Sequence, residues 1–268
     1  MKKYLNKNII MGILVVLIFS LSMTLLNSTK TQETSSNALS NELIGWGIKR
    51  ANNHEQPDVG ARNKKLLDEA EGLCLGNKEK KYIYLTFDNG YEAGYTSKIL
   101  ETLKNNNVTA TFFITAHYLN TQPELVKQMI DEGHIVGNHT VNHKSMPSLT
   151  DEQINKEVMD LHEKISSKFN YEMKYIRPPK GEYSQKTLSV CNSLGYKTVM
   201  WSFAYSDWDE KKQPEEAKAK EMILNNLHNG EIMLLHATSK TNANILDSVI
   251  KEIKSQDYEI RSINEFVE

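Results

Sequence analysis

Seven short apolar stretches follow one another between Tyr82 and Ser262, and reactive side chains stand where they end. The first, Tyr82-Ile-Tyr-Leu-Thr-Phe87, runs into Asp88-Asn-Gly90. The second, residues 110–114, is rich in β-branched and aromatic residues. The third, His134-Ile-Val-Gly137, empties into His139-Thr-Val-Asn-His143. The fourth ends at Arg177-Pro-Pro-Lys-Gly181, and the fifth, Thr198-Val-Met-Trp201, precedes Ser206-Asp-Trp208. The sixth, Ile232-Met-Leu-Leu235, ends at His236, and residues 258–262 close the series. Strands interleaved with helices of roughly 10–15 residues build βαβ units and a parallel sheet. Seven such units favour a barrel over an open doubly wound sheet. In a parallel barrel the C-terminal strand ends share one mouth, where active sites sit. The pattern therefore gathers Asp88, His139, His143, Arg177, Asp207 and His236 in one pocket and points to a metal-assisted hydrolase.

The intervening segments carry helical signatures. Residues 96–105 space Ile99, Leu100 and Leu103 on one face, and residues 123–132 do the same with Leu125, Val126, Met129 and Ile130. Thr150-Asp-Glu-Gln153 is a capping box opening a helix with Ile154, Val158, Leu161 and Ile165 on its buried stripe. Ser184 caps the next helix and Gly195 ends it. Helices are also expected over residues 213–228 and 242–255. No repeat of 20–50 residues is evident.

The 32 basic and 34 acidic residues nearly balance, so no nucleic-acid-sized basic face is implied. Two cysteines, Cys74 and Cys191, exclude a disulfide framework and a Cys-rich zinc site, and Cys191 reads as a buried helix residue. Lys2, Lys3 and Lys7 precede an uncharged, mostly apolar run over residues 9–26, the pattern of an export signal. Eighteen residues stand at the lower limit for spanning a bilayer, roughly 17–25. Without a clear Ala-x-Ala site, an uncleaved anchor over residues 1–26 is favoured over a cleaved signal. It contacts the membrane and places the remainder outside the cytoplasm. Residues 27–41, rich in Ser, Thr and Asn, read as a flexible linker. Residues 42–80, with Trp46 and a helix expected over 61–73, read as an extension packed on the catalytic domain, residues 81–268.

Each reactive residue has a functional and a structural reading. His139 and His143 are four apart, so a helical turn would put both imidazoles on one face within reach of one cation. Such pairs are also common on surfaces. Asp88 fits a turn, yet at a strand end beside a metal it is placed to take a proton from water. His236 is either a core histidine or a general acid. Asp207 nearby would raise its pKa and keep it protonated. Arg177, extended before two prolines, either orients Asp88 or makes a structural ion pair. Trp208 reads equally as a sugar-stacking platform and as core.

Together, Thr86-Phe-Asp-Asn-Gly90, His139-Thr-Val-Asn-His143, Arg177-Pro-Pro-Lys-Gly181, Asp207-Trp208 and Leu234-Leu-His-Ala-Thr-Ser239 resemble the five ordered motifs of the polysaccharide deacetylase (NodB-homology) family. The resemblance spans roughly residues 80–268. It implies a distorted (β/α) barrel and a divalent metal, usually zinc. It makes Asp88 the general base, His139 and His143 metal ligands, Arg177 the orienter of the base, His236 the general acid and Asp207 its tuner. The family's second aspartate, a metal ligand, is Asn89 here, a neutral and weaker donor. Thr86-Phe-Asp-Asn-Gly-Tyr-Glu92 with Trp46-Gly47 is similar to the subgroup that forms muramic δ-lactam in spore cortex.

The expected activity is thus metal-dependent removal of acetyl from N-acetylmuramic acid in peptidoglycan strands stripped of peptide. The backbone N–H of Lys180 is a candidate oxyanion donor, and Arg177 and Lys180 are candidate partners for the lactyl carboxylate. The rivals are an N-acetylglucosamine deacetylase, an esterase on acetylated plant glycan, and a wall-binding protein that has lost activity.

Overall fold

The computed structural model describes residues 39–268. The expected anchor and nearly all of the linker lie outside the described residues. Nine strands and eight helices are named here in chain order: β1 Ile44–Gly45, α1 Ala61–Glu69, β2 Tyr82–Asn89, α2 Thr96–Asn105, β3 Thr111–Ile114, α3 Ala116–Thr121, α4 Pro123–Asp131, β4 Ile135–Asn138, α5 Asp151–Phe169, β5 Tyr175–Ile176, β6 Glu182–Tyr183, α6 Gln185–Ser193, β7 Lys197–Thr198, α7 Glu216–Asn225, β8 Glu231–His236, α8 Lys240–Ser255 and β9 Glu259–Ile260.

Seven strands form one parallel sheet in the order β7-β5-β4-β3-β2-β8, with β9 also pairing with β2. The sheet curls into the expected distorted barrel. Past β7 the backbone is irregular, yet a parallel bridge from Phe203 to Met233 brings it back to β8. β1 and β6 make a separate antiparallel pair.

Residue parity along the strands sorts the two faces. Ile83, Leu85 and Phe87 of β2 join Phe112, Val136, Met233 and Leu235 in the large core beneath the helices. Tyr84 joins Phe113, Val199 and Ile232 in a smaller cluster inside the curl. Both faces of β2 are buried, as a parallel sheet covered by helices requires. Successive side chains alternate, so Asp88 continues the inner row and Asn89 the helix-facing one.

The capping box of α5 forms: Thr150 Oγ1 accepts from Gln153 N–H, and Gln153 Oε1 accepts from Thr150 N–H. Ser184 caps α6 with Thr187 completing a second box, and Gly195 follows its C-terminus at φ 84°. Three expectations shift. α7 starts at Glu216, because the preceding residues hold the loop after Trp208: Gln213 Nε2 donates to the carbonyls of Asp207 and Asp209. α1 ends at Glu69, because Gly72 turns the chain by donating to Leu67 O at 2.7 Å. α3 was not expected; Thr115 caps it through the Tyr118 N–H.

Residues 42–80 pack on the barrel. Leu73 N–H donates to Thr198 O and its carbonyl accepts from Met200 N–H, covering the edge beside β7. Trp46 N–H donates to Gly181 O at 2.8 Å, and its indole N–H donates to Trp201 O at 2.9 Å.

Candidate active site

A cavity of about 1020 Å³ opens where the inner rows of β2, β4 and β8 end. Asp88, His139, His143, Lys180, Trp208 and His236 line it with Tyr91, Trp201 and Tyr205. Two acid–base pairs face one another there. β2 and β8 run in register so that Asp88 is opposite His236.

The first pair is Asp88 with Arg177. Arg177 is fully buried and donates from Nη1 to Asp88 Oδ1 at 2.8 Å and from Nε to Val199 O at 3.1 Å. Its guanidinium stacks on the Phe113 ring at 4.3 Å. That ring fits because β4 carries Gly137 against it; a Cβ there would lie 2.5 Å from Phe113. Burial opposes ionisation of Asp88, but the guanidinium, then His139 and His236, outweigh it and hold the carboxyl below its usual range. Asp88 is therefore an ionised base with Oδ2 turned to His139 Nε2 at 3.6 Å.

The second pair is His236 with Asp207. Asp207 is fully buried; it accepts from the His236 backbone N–H at 2.8 Å and meets His236 Nδ1 at 2.7 Å. Asn242 of α8 donates to the same carboxylate at 2.6 Å and fixes it. Burial alone would depress the imidazole, but the carboxylate overcomes this and raises its pKa above the ordinary histidine value. With Nδ1 bound to Asp207, Nε2 is the proton-carrying atom left for the cavity. Trp208 flanks it, ring centroids 6.0 Å apart, and is itself 55% exposed.

The two remaining imidazoles converge. His139 Nδ1 lies 2.8 Å from Arg177 O, a carbonyl that only accepts, so Nδ1 carries the proton and Nε2 keeps a free lone pair. Burial drives the His139 pKa down to about 4 and lowers that of His143. Their Nε2 atoms are 3.1 Å apart. Two nitrogens on one tetrahedral ion would be about 3.3 Å apart, and a ligating histidine typically donates its other N–H to a carbonyl. These residues fit a divalent cation with open positions.

The helical turn expected to unite the histidines is absent. The segment is a loop with Thr140 at φ 69° and His143 at φ 54°. Glu157 of α5, a residue the sequence reading passed over, holds it: its carboxylate accepts from Asn142 N–H and Asn142 Nδ2–H, both at 2.7 Å. The available signal was a charge beside the apolar stripe Ile154, Val158, Leu161.

Asn89, the expected third ligand, lies beside the cavity lining with its Oδ1 buried and without a hydrogen-bond partner. Strand alternation turns it to the helix-facing side, where it is fully buried, does not line the cavity and donates to Thr96 Oγ1 at 3.4 Å. Among the described residues no three His, Cys, Asp or Glu side chains gather as a ready metal cage. Arg177 is corrected as a partner for a substrate carboxylate, since it is buried and committed to Asp88. Lys180 remains on the wall, at φ 60° in a turn closed by Gly181, where a Cβ would meet Trp201 at 2.8 Å.

A family model described as polysaccharide deacetylase matches residues 75–199. Peptidoglycan-N-acetylmuramic acid deacetylase PdaA of Bacillus subtilis is 43% identical over 233 residues, covering 86% of this chain and 88% of that protein. The chain belongs to the polysaccharide deacetylase family. A solved structure of this Bacillus subtilis deacetylase, a family 4 carbohydrate esterase, superposes with a TM-score of 0.83 at 42% identity, covering 85% of this chain and 98% of that one. A peptidoglycan-N-acetylglucosamine deacetylase of Bacillus cereus is 30% identical over 185 residues, 68% of this chain and 66% of that protein. Enzymes of the polysaccharide deacetylase family are metal-dependent hydrolases.

Proposed function

We propose that this deacetylase is exported and removes acetyl from N-acetylmuramic acid in peptide-free peptidoglycan strands, supplying the amine for muramic δ-lactam in spore cortex. The observation that carries the chemistry is the register of β2 and β8, which sets an ionised carboxylate beside an imidazole of raised pKa at the floor of one cavity. The muramic substrate is supported by the 43% identity to PdaA.

Asp88 removes a proton from the attacking water, whose oxygen bonds to the acetamide carbon. Arg177 keeps Asp88 ionised and aimed. The Lys180 backbone N–H is offered to the developing oxyanion. His236 passes its Nε2 proton to the departing nitrogen as the C–N bond breaks, giving acetate and a free amine. Trp208 and Tyr91 flank the sugar rings. His139 and His143 would hold the divalent ion, zinc by the chemistry of paired imidazoles, and when bound it supplies Lewis-acid polarisation of the carbonyl. The run over residues 9–26 directs the domain across the membrane and anchors it there.

The test is mass spectrometry of peptide-stripped glycan after incubation with the zinc-loaded enzyme. Loss of acetyl from muramic units is expected, and lactam closure would remove one further water. Comparable rates on chitin oligomers would replace this reading with the glucosamine one.

A further inference from the structure

We infer that the Lys180 side chain is the specificity element that reads the free lactyl carboxylate of the substrate, an inference resting on the muramic reading above. Muramic acid carries a lactyl ether on the ring carbon next to the one bearing the acetamide. A peptide-free unit therefore brings one carboxylate into the cavity beside the reacting carbonyl.

A buried carboxylate needs a partner, and few are on offer. Among the described residues, Lys180 is the only lysine or arginine lining the cavity. Arg177, the nearest alternative in sequence, is fully buried with its Nη1 and Nε spent on Asp88 and Val199 O. The two carboxylates of the acid–base machinery are also committed, Asp88 to Arg177 and Asp207 to His236. Lys180 is exposed, and among the described residues it makes no ion pair. Its charge is therefore free to meet an incoming anion.

The backbone fixes where that charge is presented. Lys180 is a non-glycine residue held at φ 60°, in a conformation side chains rarely adopt. Pro178 and Pro179 precede it, and Gly181 is pinned through its carbonyl by Trp46 N–H. The turn is thus over-determined from both sides, and strain retained in this way is characteristic of functional positions. Lys180 lines the same cavity as Asp88, His143 and His236. An acetamide positioned between Asp88 and His236 would have its neighbouring substituent within this cavity.

The experiment compares two substrates that differ only in this charge: a peptide-free glycan with free lactyl carboxyls, and the same glycan with those carboxyls capped as methylamides. For each, kcat/KM is measured on wild type, Lys180→Gln and Lys180→Arg. Wild type should prefer the free acid by roughly 10–100-fold, the scale of one charge-assisted hydrogen bond. Lys180→Gln should bring this ratio towards one, and Lys180→Arg should keep most of it. If wild type prefers the acid and Lys180→Gln keeps the full preference, the inference fails while the muramic reading stands. If Lys180→Gln slows both substrates equally, the side chain serves the turn or the reaction without reading the lactyl charge, and the inference fails. If wild type shows no preference, the inference fails, and a chitin rate equal to the muramic one then removes the underlying reading as well.

Discussion

At the scale of single residues, the proposed chemistry gives two carboxylates opposite roles: Asp88 as the base itself, and Asp207 acting through an imidazole. Asp88→Asn and His236→Ala should each lower kcat by about 10²–10⁴-fold, with folding retained by circular dichroism. Near-normal acetate release from either variant would remove that residue from the mechanism. Asp207→Asn tests tuning instead of contact. In the wild type the carboxylate raises the His236 pKa, so the acid stays protonated to higher pH than an ordinary histidine. Its loss should shift the alkaline limb of the kcat/KM profile to lower pH; a limb that stays put would show that Asp207 only positions the ring. Most of these residues were legible in the sequence, because each follows an apolar strand and strand ends share a mouth. Asn89 is less legible: similarity to a ligand position points it at the cation, while strand parity turns its side chain from the inner row and leaves Oδ1 buried without a partner. Asn242 and Glu157 were not legible as site residues, since each acts on a partner distant in sequence, Asp207 and Asn142.

At the scale of elements, the histidine loop shows how a helix positions a site it does not carry. His139 and His143 lie in an irregular segment with two non-glycine residues at positive φ, an arrangement that costs on the order of 1–3 kcal/mol for each such residue and must be held from outside. α5 holds it through Glu157, whose side chain is 7% exposed. Glu157→Ala should weaken zinc binding by about 10–100-fold in calorimetry, as loss of a supporting contact around ligands does. Unchanged affinity would mean that the loop keeps its form without the clamp. The capping boxes at Thr150 and Ser184 were readable because a cap is a contract between residues three apart. α3 was not, because its six residues are too few to show a period.

For the whole molecule, the end of the barrel opposite the cavity holds a buried acid. Glu231 opens β8 with no exposure; Oε2 accepts from His228 N–H at 3.1 Å, and Oε1 has no partner. Burial pushes its pKa well above the ordinary glutamate value. His228 does not compensate, since burial takes its own pKa down to about 4. A group whose pKa is raised by folding favours the fold at low pH and ceases to as pH rises through the folded value. Glu231→Gln should therefore raise Tm relative to wild type at pH 8, by a few degrees, with the difference shrinking towards pH 5. An equal shift at both pH values would mean that ionisation is not the cause. The barrel itself was legible from strand–helix alternation. Its closure was not, because residues 199–203 rejoin β8 through a single bridge without regular strand pattern.

The Trp46 contacts decide what counts as a minimal catalytic unit. The family model begins at residue 75, and a fragment starting there would keep every acid, base and imidazole named above. It would lack the N–H groups that hold Gly181 O and Trp201 O. The turn presenting Lys180 would lose its outer brace, and Trp201, a wall of the cavity, would lose the donor on its carbonyl. A boundary drawn by motif would thus retain the chemistry and forfeit part of the vessel that shapes its substrate.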